Sequence, residues 1–431
     1  MDLFARPMET LRPFDPELAA LAEAEYQRQK DTLCLIVSEN YASPYALALE
    51  GSILANKNAG GYPDSRGVGG CQVVNQIEAL ANRRFRQLFG CDHVNLQPMS
   101  ATIANLAVLQ ALLQPGDTIL SLGTELGGHI SHGGAENLSG MAYRVVNYGF
   151  DPGTEQIDLA QVEELARRHR PKLIICGSGA YPRVTPYRAF GEIARSVGAY
   201  LLADIAHPAG LIAAGLLESP VPYADVVTTT THKTLRGPRG CGVILCRQEL
   251  AQAIDRAVYP GLQGSPKMDM IAARAALARE AMTPEFRACQ QAALDNAQAL
   301  AQGLGEEGFR LVTGGTDTHL LLVDVRSHIA TGEEADRVLS SVGLVVNREP
   351  IPFDPQPEAT SGIRIGTPAL TTRGLEGPQF RQIARWISQA LHSAGDPRRL
   401  AEIRGQVTAL AQQYPLFAER WIPREKSVNT P

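Results

Sequence analysis

The chain has 431 residues, 44% of them hydrophobic and 20% charged, with a formal net charge of −5 at pH 7. That length is enough for two domains and a large core, and the balance is ordinary for a soluble globular protein. The acidic charge gives no footprint for nucleic acid or an anionic membrane, and no apolar run reaches the roughly 18 residues of a membrane span.

From the N-terminus, Met1-Asp2-Leu3-Phe4-Ala5-Arg6-Pro7 lacks the basic and apolar parts of a signal peptide. Seven cysteines are scattered without a CxxC pair, which fits free thiols in a reducing, cytoplasmic location. Pro16 to Lys30 reads as an amphipathic helix with Leu18, Leu21, Ala22 and Tyr26 on one face and Asp15 as its cap. Leu33 to Val37 is a short apolar segment. Asn58 to Cys71 holds five glycines and must be a loop, either a flexible connector or a place of close backbone approach. Val74 to Leu88 keeps a helical period, with Gly90 as C-terminal cap.

Ser100, Ala101 and Thr102 precede a helix over Ile103 to Leu113, a position that suits either simple capping or an anion. Gly127 to Gly133 is a Gly/His loop without metal-like spacing, so no metal is expected. Strands at Thr118–Leu122, Lys172–Cys176, Tyr200–Ala203, Val226–Thr230 and Gly242–Cys246, with a helix at Tyr187–Val197, imply βαβ units and a mainly parallel sheet. A long helical stretch from about Met268 to Leu304 then crosses to a smaller unit. There Phe309–Val312, His319–Val325 and Leu344–Val346 read as strands, and Ile351–Gly362 as a Pro-rich connector. Arg364 lies in the apolar run Ser361 to Thr367, where it needs either a substrate carboxylate or a structural partner. The tail from about Pro423 is expected to be loose. There is no internal repeat.

The chemistry centres on Thr228-Thr229-Thr230-Thr231-His232-Lys233, which follows a β-branched strand and precedes Gly237-Pro238-Arg239-Gly240. Lys233 therefore sits where a strand gives way to a loop, the place where α/β proteins gather ligands. An amine there suits a Schiff base with an aldehyde cofactor, although a lone loop lysine is also read as merely solvated. Upstream, Leu201 to Ala203 ends in Asp204, followed by His207. Such a carboxylate suits the pyridine nitrogen of pyridoxal phosphate, or a helix N-cap.

Together these stretches resemble the fold-type I pyridoxal phosphate enzymes, and the Lys233 string resembles serine hydroxymethyltransferase from about residue 14 to 420. Ser38-Glu39-Asn40-Tyr41, Gly61-Tyr62-Pro63, Gly69-Gly70-Cys71, Gly127-Gly128-His129 and Ser361 to Pro368 carry the same likeness. The resemblance implies an α/β fold of aminotransferase type. It has a seven-stranded, mainly parallel sheet in a large cofactor-binding domain (51–290), after an N-terminal segment (1–50) and before a small α+β domain (291–431). It implies Lys233 as the Schiff-base lysine, Asp204 as the pyridinium partner, His129 stacked on the ring and His207 beside the phenolic oxygen. His232 joins the cofactor set. Ser100, Ala101 and Thr102 match the phosphate turn, with Gln263-Gly264 reaching the phosphate of a neighbouring subunit. Ser38, Arg239 and Arg364 match the amino-acid site. A homodimer or dimer of dimers with shared sites is implied.

The departures cluster. The family tyrosine, glutamate and tyrosine pair of the glycine-rich loop are Asn58, Gly60 and Gly67-Val68 here, and the glutamate after the cysteine is Gln72. Met99 stands for a histidine, Gly179 for a serine, Thr124 for a leucine and Glu349 for an asparagine. A carboxylate at 349 would repel the glutamate tail of a folate. The expected function is therefore cleavage or transfer at a β-hydroxy-α-amino acid, L-threonine or L-serine, through a glycine carbanion and without tetrahydrofolate. This is the chemistry of an aldolase, or of the threonine transaldolases of natural-product pathways. Loss of the larger side chains at 60, 67 and 68 would open room for an acceptor aldehyde, with His129 as the candidate for proton transfer. Serine or α-methylserine hydroxymethyl transfer with folate is the alternative. A non-catalytic binding homologue is a third, against which Lys233, Asp204, His129 and Arg364 together speak.

Overall fold

A computed structural model of the chain describes residues 5–354 and 360–417. Its centre is a seven-stranded sheet: β1 (His93–Asn95), β2 (Thr118–Leu122), β3 (Arg144–Tyr148), β4 (Leu173–Cys176), β5 (Tyr200–Asp204), β6 (Val226–Thr230) and β7 (Gly242–Cys246), in the order β1-β7-β6-β5-β4-β2-β3. Neighbours from β6 through β5, β4 and β2 to β3 are parallel; β7 runs antiparallel to both β1 and β6. Covered on both faces, β4, β6 and β7 are buried along their whole length, which is why they read as unbroken apolar or β-branched runs. The threonines of β6 are tolerated there because their hydroxyls are bonded. Thr228 donates to Asn105 Oδ1 at 2.6 Å and Thr230 to the Ala206 carbonyl at 3.4 Å.

Gly177, at the end of β4, has φ +125°, and a Cβ there would stand 2.2 Å from the carbonyl oxygen of Asp204. Both facts exclude a side chain, so Gly177→Ala is expected to cost roughly 2–4 kcal/mol of stability. An unchanged denaturation midpoint would contradict that contact.

The C-terminal part builds a four-stranded antiparallel sheet from β8 (Arg310–Leu311), β9 (Leu320–Asp324), β10 (Asn347–Glu349) and β11 (Gly362–Gly366), in the order β10-β11-β9-β8. Its core gathers Leu321, Val323, Ile363 and Ile365 with Phe380, Ile383 and Ile387 of the helix Gly377–His392, and also takes in Leu33 and Leu35 from the N-terminal segment. Leu33–Cys34 pairs in parallel with Leu344–Val345.

Several expectations are corrected. The helical stretch from Met268 is two helices, Met268–Ala281 and Pro284–Glu306, because Thr283 caps the second by accepting from the Phe286 amide at 3.2 Å and Pro284 fits a first turn. The boundary between residues 290 and 291 falls inside that second helix, whose Phe286 joins the large core and whose Leu300 and Leu304 join the C-terminal one. The helix Pro16–Asp31 and its Asp15 cap are present, but Leu18 and Leu21 are exposed and Ala19 is its buried residue. The strand β3 and the helix Leu159–His169 add to the elements expected from the sequence. Part of the Pro-rich connector, and the tail from Pro423, lie outside the described residues.

Candidate active site

The carboxyl ends of the parallel strands converge on a cavity of about 340 Å³ lined by Ser38, Ala101, Thr102, His129, His132, Ser178, Gly179, Asp204, Ala206, His207, Thr230, His232, Lys233 and Arg364. This is the end at which open α/β sheets bind ligands. Lys233 is fixed by its backbone. Its carbonyl accepts from Asn40 Nδ2 at 3.0 Å, and the turn around it is closed by Gly237 N–H to the Thr231 carbonyl at 2.7 Å. Thr234 on its other side donates to the His207 carbonyl at 2.7 Å. Burial pushes the Lys233 ammonium down to about 8; Asp204 opposes the fall, and Arg364 and Arg239 add to it. About a tenth of this amine is thus neutral and nucleophilic at pH 7, far more than for a solvated lysine.

Asp204 closes β5 and is buried. Its Oδ2 accepts from His132 Nε2 at 3.0 Å and Asn105 Nδ2 at 2.9 Å, and its Oδ1 from the Ala206 amide at 2.9 Å. Burial works against its ionisation, but the His132 bond, the charges of His132 and His129 and the Asn105 bond outweigh it and hold the carboxyl well below the usual range. His132 and Asn105 are the site residues that the sequence did not single out. Their signals were a second histidine in the Gly/His loop and a lone amide in the apolar helix Ala101–Leu112.

His129 hands Nδ1 to Ser131, whose amide donates to it at 3.3 Å. When neutral, the ring therefore carries its proton on Nε2. Burial draws its pKa down to about 4, with Asp204 opposing. His207 is pushed down by burial as well, then by Lys233 and Arg364, and its Nδ1 has no hydrogen-bond partner among the described residues.

Pyridoxal phosphate needs an amine, a carboxylate, an anion cradle and room, and the cavity meets all four. Ser100 caps the helix Ala101–Leu112 by accepting from the Ile103 amide at 3.1 Å. The first-turn amides of Ala101 and Thr102 have no intrahelical acceptor and suit a phosphate. Gln263 braces this turn, accepting from the Met99 amide at 3.2 Å and donating to the Gln97 carbonyl at 2.8 Å.

Arg364, on β11, reaches across to the large sheet. Its Nη1 donates to the Gly179 carbonyl at 2.8 Å and lies 3.3 Å from Glu349 Oε2, while Nη2 lies 3.5 Å from Asn347 Oδ1. A Cβ at Gly179 would stand 3.3 Å from Arg364 Nη1, so glycine leaves the guanidinium its place.

Not every expected residue lines this cavity. Arg239 lines a neighbouring one of about 310 Å³ with Glu25, Arg28, Glu39, Asn40 and Tyr41, and bears on Lys233 only through its charge. Gly264 is outside the cavity of its own chain, as are Asn58, Gly60, Gly67 and Val68. The room expected in that loop is uneven. Gly67 faces open space, but a Cβ at Gly60 would meet the Tyr259 hydroxyl at 3.2 Å, and Val68 packs on the core. Arg66 holds the loop together through a buried ion pair with Glu78.

The family model described as serine hydroxymethyltransferase matches residues 11–387. A protein of Myxococcus xanthus named serine hydroxymethyltransferase is 50% identical over 414 residues, 96% of this chain and 99% of the relative. One of the same name from Alkalilimnicola ehrlichii is 50% identical over 420 residues, 97% of this chain and 100% of the relative. With the Lys233–Asp204 cavity at the strand ends, these matches establish that the chain belongs to the serine hydroxymethyltransferase family, pyridoxal phosphate-dependent transferases of fold type I.

Proposed function

We propose that the enzyme breaks and makes the Cα–Cβ bond of a β-hydroxy-α-amino acid, L-threonine or L-serine, and that the carbon fragment passes without tetrahydrofolate, as in an aldolase or transaldolase. The observation that carries this reading is at residue 60. Where the resemblance asks for a glutamate there is no side chain, and the Tyr259 hydroxyl fills the adjoining space. The ion pair between Glu349 and Arg364 supports it, since a carboxylate beside the cavity disfavours a polyanionic folate.

Bound pyridoxal phosphate supplies an electron sink for a bond at Cα. Lys233 would attach it, Asp204 would pair with its ring nitrogen, and Ser100, Ala101 and Thr102 would hold its phosphate, with His232 also in the cofactor set. His207 serves its phenolic oxygen. Arg364 and Ser38 orient the amino acid, with Arg239 contributing charge. His129 would face the ring and, with its proton on Nε2, would donate to the β-oxygen in the bond-making direction. The loop Asn58–Cys71 and Gly264 serve the cavity of a second copy in a homodimer or dimer of dimers; their absence from their own chain's cavity supports this. The enzyme works in the cytoplasm; among the described residues no helix is long and apolar enough to cross a membrane.

The second reading is hydroxymethyl transfer between serine, or α-methylserine, and tetrahydrofolate. The names of the relatives, at 50% identity over nearly the whole chain, favour it. Incubating the purified enzyme with L-threonine and with L-serine, with and without tetrahydrofolate, separates the two. Acetaldehyde and glycine from L-threonine without folate, unchanged by adding it, support the first. Serine turnover that requires folate, with L-threonine inert, establishes the second.

A further inference from the structure

On the reading above, the Arg364 guanidinium takes the substrate carboxylate, and it already holds one from its own chain. Its Nε is shut off from solvent and has no hydrogen-bond partner among the described residues, so an incoming carboxylate must come to Nη1 or Nη2. At Nη1 stands Glu349, 3.3 Å away. The two side chains are 15% and 17% exposed, and among the described residues Arg364 is the one cation within ion-pair distance of Glu349. Glu349 is fixed by its strand: in β10, Asn347 pairs with Arg364 and Glu349 with Gly362 of β11. Residues 347 and 349 of a strand share a face, so amide and carboxylate both flank the guanidinium. The geometry makes Glu349 an internal stand-in for the substrate's own α-carboxylate.

We propose that Glu349 occupies the α-carboxylate site until the amino acid displaces it, and that the released carboxylate then selects the acceptor, admitting an aldehyde with a cation or hydroxyl donors and rejecting an anionic one. The second half rests on the folate-independent reading above; the first does not. Displacement costs the pair its attraction, so the amino acid binds more weakly than it would to a vacant guanidinium. Once an α-carboxylate sits on Arg364, Glu349 has no other cation to turn to and presents its charge to whatever enters beside the amino acid.

The test uses the holoenzyme and Glu349→Gln, which keeps the shape and removes the charge. Calorimetric titration with glycine should show about tenfold tighter binding to Glu349→Gln, the size of one modest ion pair. Glycinamide, which brings no carboxylate, should bind both proteins alike. Equal or weaker glycine binding by the variant overturns the stand-in role. Wild type alone gives a second measure, independent of the variant's folding: glycine should exceed glycinamide in affinity by no more than about tenfold, well below the gap for an unopposed bidentate arginine. A gap of hundreds overturns the proposal. For the acceptor, L-threonine is paired with 4-formylbenzoate or 4-(trimethylammonio)benzaldehyde. The wild type should favour the cation, and Glu349→Gln should erase that preference; a preference unchanged in the variant refutes selection by Glu349. If neither aldehyde is taken up and threonine is inert, the folate-independent reading and the acceptor role fall together, while the glycine titrations still decide the stand-in role.

Discussion

Lys233→Ala is expected to abolish covalent attachment of pyridoxal phosphate and to lower turnover by on the order of 10³-fold or more. The turn at the end of the strand presents this amine to the cavity, with Asn40, Thr231 and Thr234 fixing its backbone on both sides. Borohydride reduction followed by peptide mapping should place the pyridoxyl group on Lys233 in the wild type, and a label on another lysine would refute the assignment. The pH dependence follows from burial. With the ammonium brought down to about 8, the neutral amine dominates above that value. Apoenzyme should therefore take up the cofactor faster as pH rises through about 8, then level off. A plateau reached only near the ordinary lysine range would show that the side chain is solvated.

Arg364→Ala should weaken glycine and threonine binding by on the order of 2 kcal/mol, roughly 30-fold, with the cofactor still bound. Two causes add. The α-carboxylate loses its bidentate partner, and Glu349, already raised in pKa by burial, loses the charge that opposes that rise. The double variant Arg364→Ala, Glu349→Ala should recover part of the loss, because no stranded carboxylate then faces the incoming one. Unchanged glycine affinity in Arg364→Ala, with the cofactor's absorbance intact, would remove Arg364 from the substrate site.

Much of this site was legible because its chemistry sits where local pattern changes. Lys233 and Asp204 each end an apolar run, and such ends become strand termini at one edge of a parallel sheet. His132 and Asn105 were not legible. Their roles depend on two segments distant in sequence meeting at one carboxylate oxygen, and nothing local to either residue announces that. The ion pair of Glu349 was likewise hidden. The charge of residue 349 alone argues against a folate, but its neighbour across the strand pair follows only from the register of β10 on β11. Leu18 and Leu21 show the limit of periodicity: it marks a face with apolar residues without saying whether the chain itself covers them. The break at Thr283-Pro284 was written in capping residues, but the apolar period runs across it and masked the stop.

The helix Pro284–Glu306 has 23 residues, a rod of about 35 Å rooted in the large core by Phe286 and in the C-terminal core by Leu304. Its length is therefore a timing mark in the sequence. One residue inserted along it would ask everything beyond to rotate by about 100° and advance about 1.5 Å relative to the sheet. Arg364 rides on the far body and Lys233 on the near one, and the bond from Arg364 to the Gly179 carbonyl tolerates neither displacement. Among natural variants of this chain, insertions should gather in loops and spare this rod, whatever substitutions its exposed face accumulates.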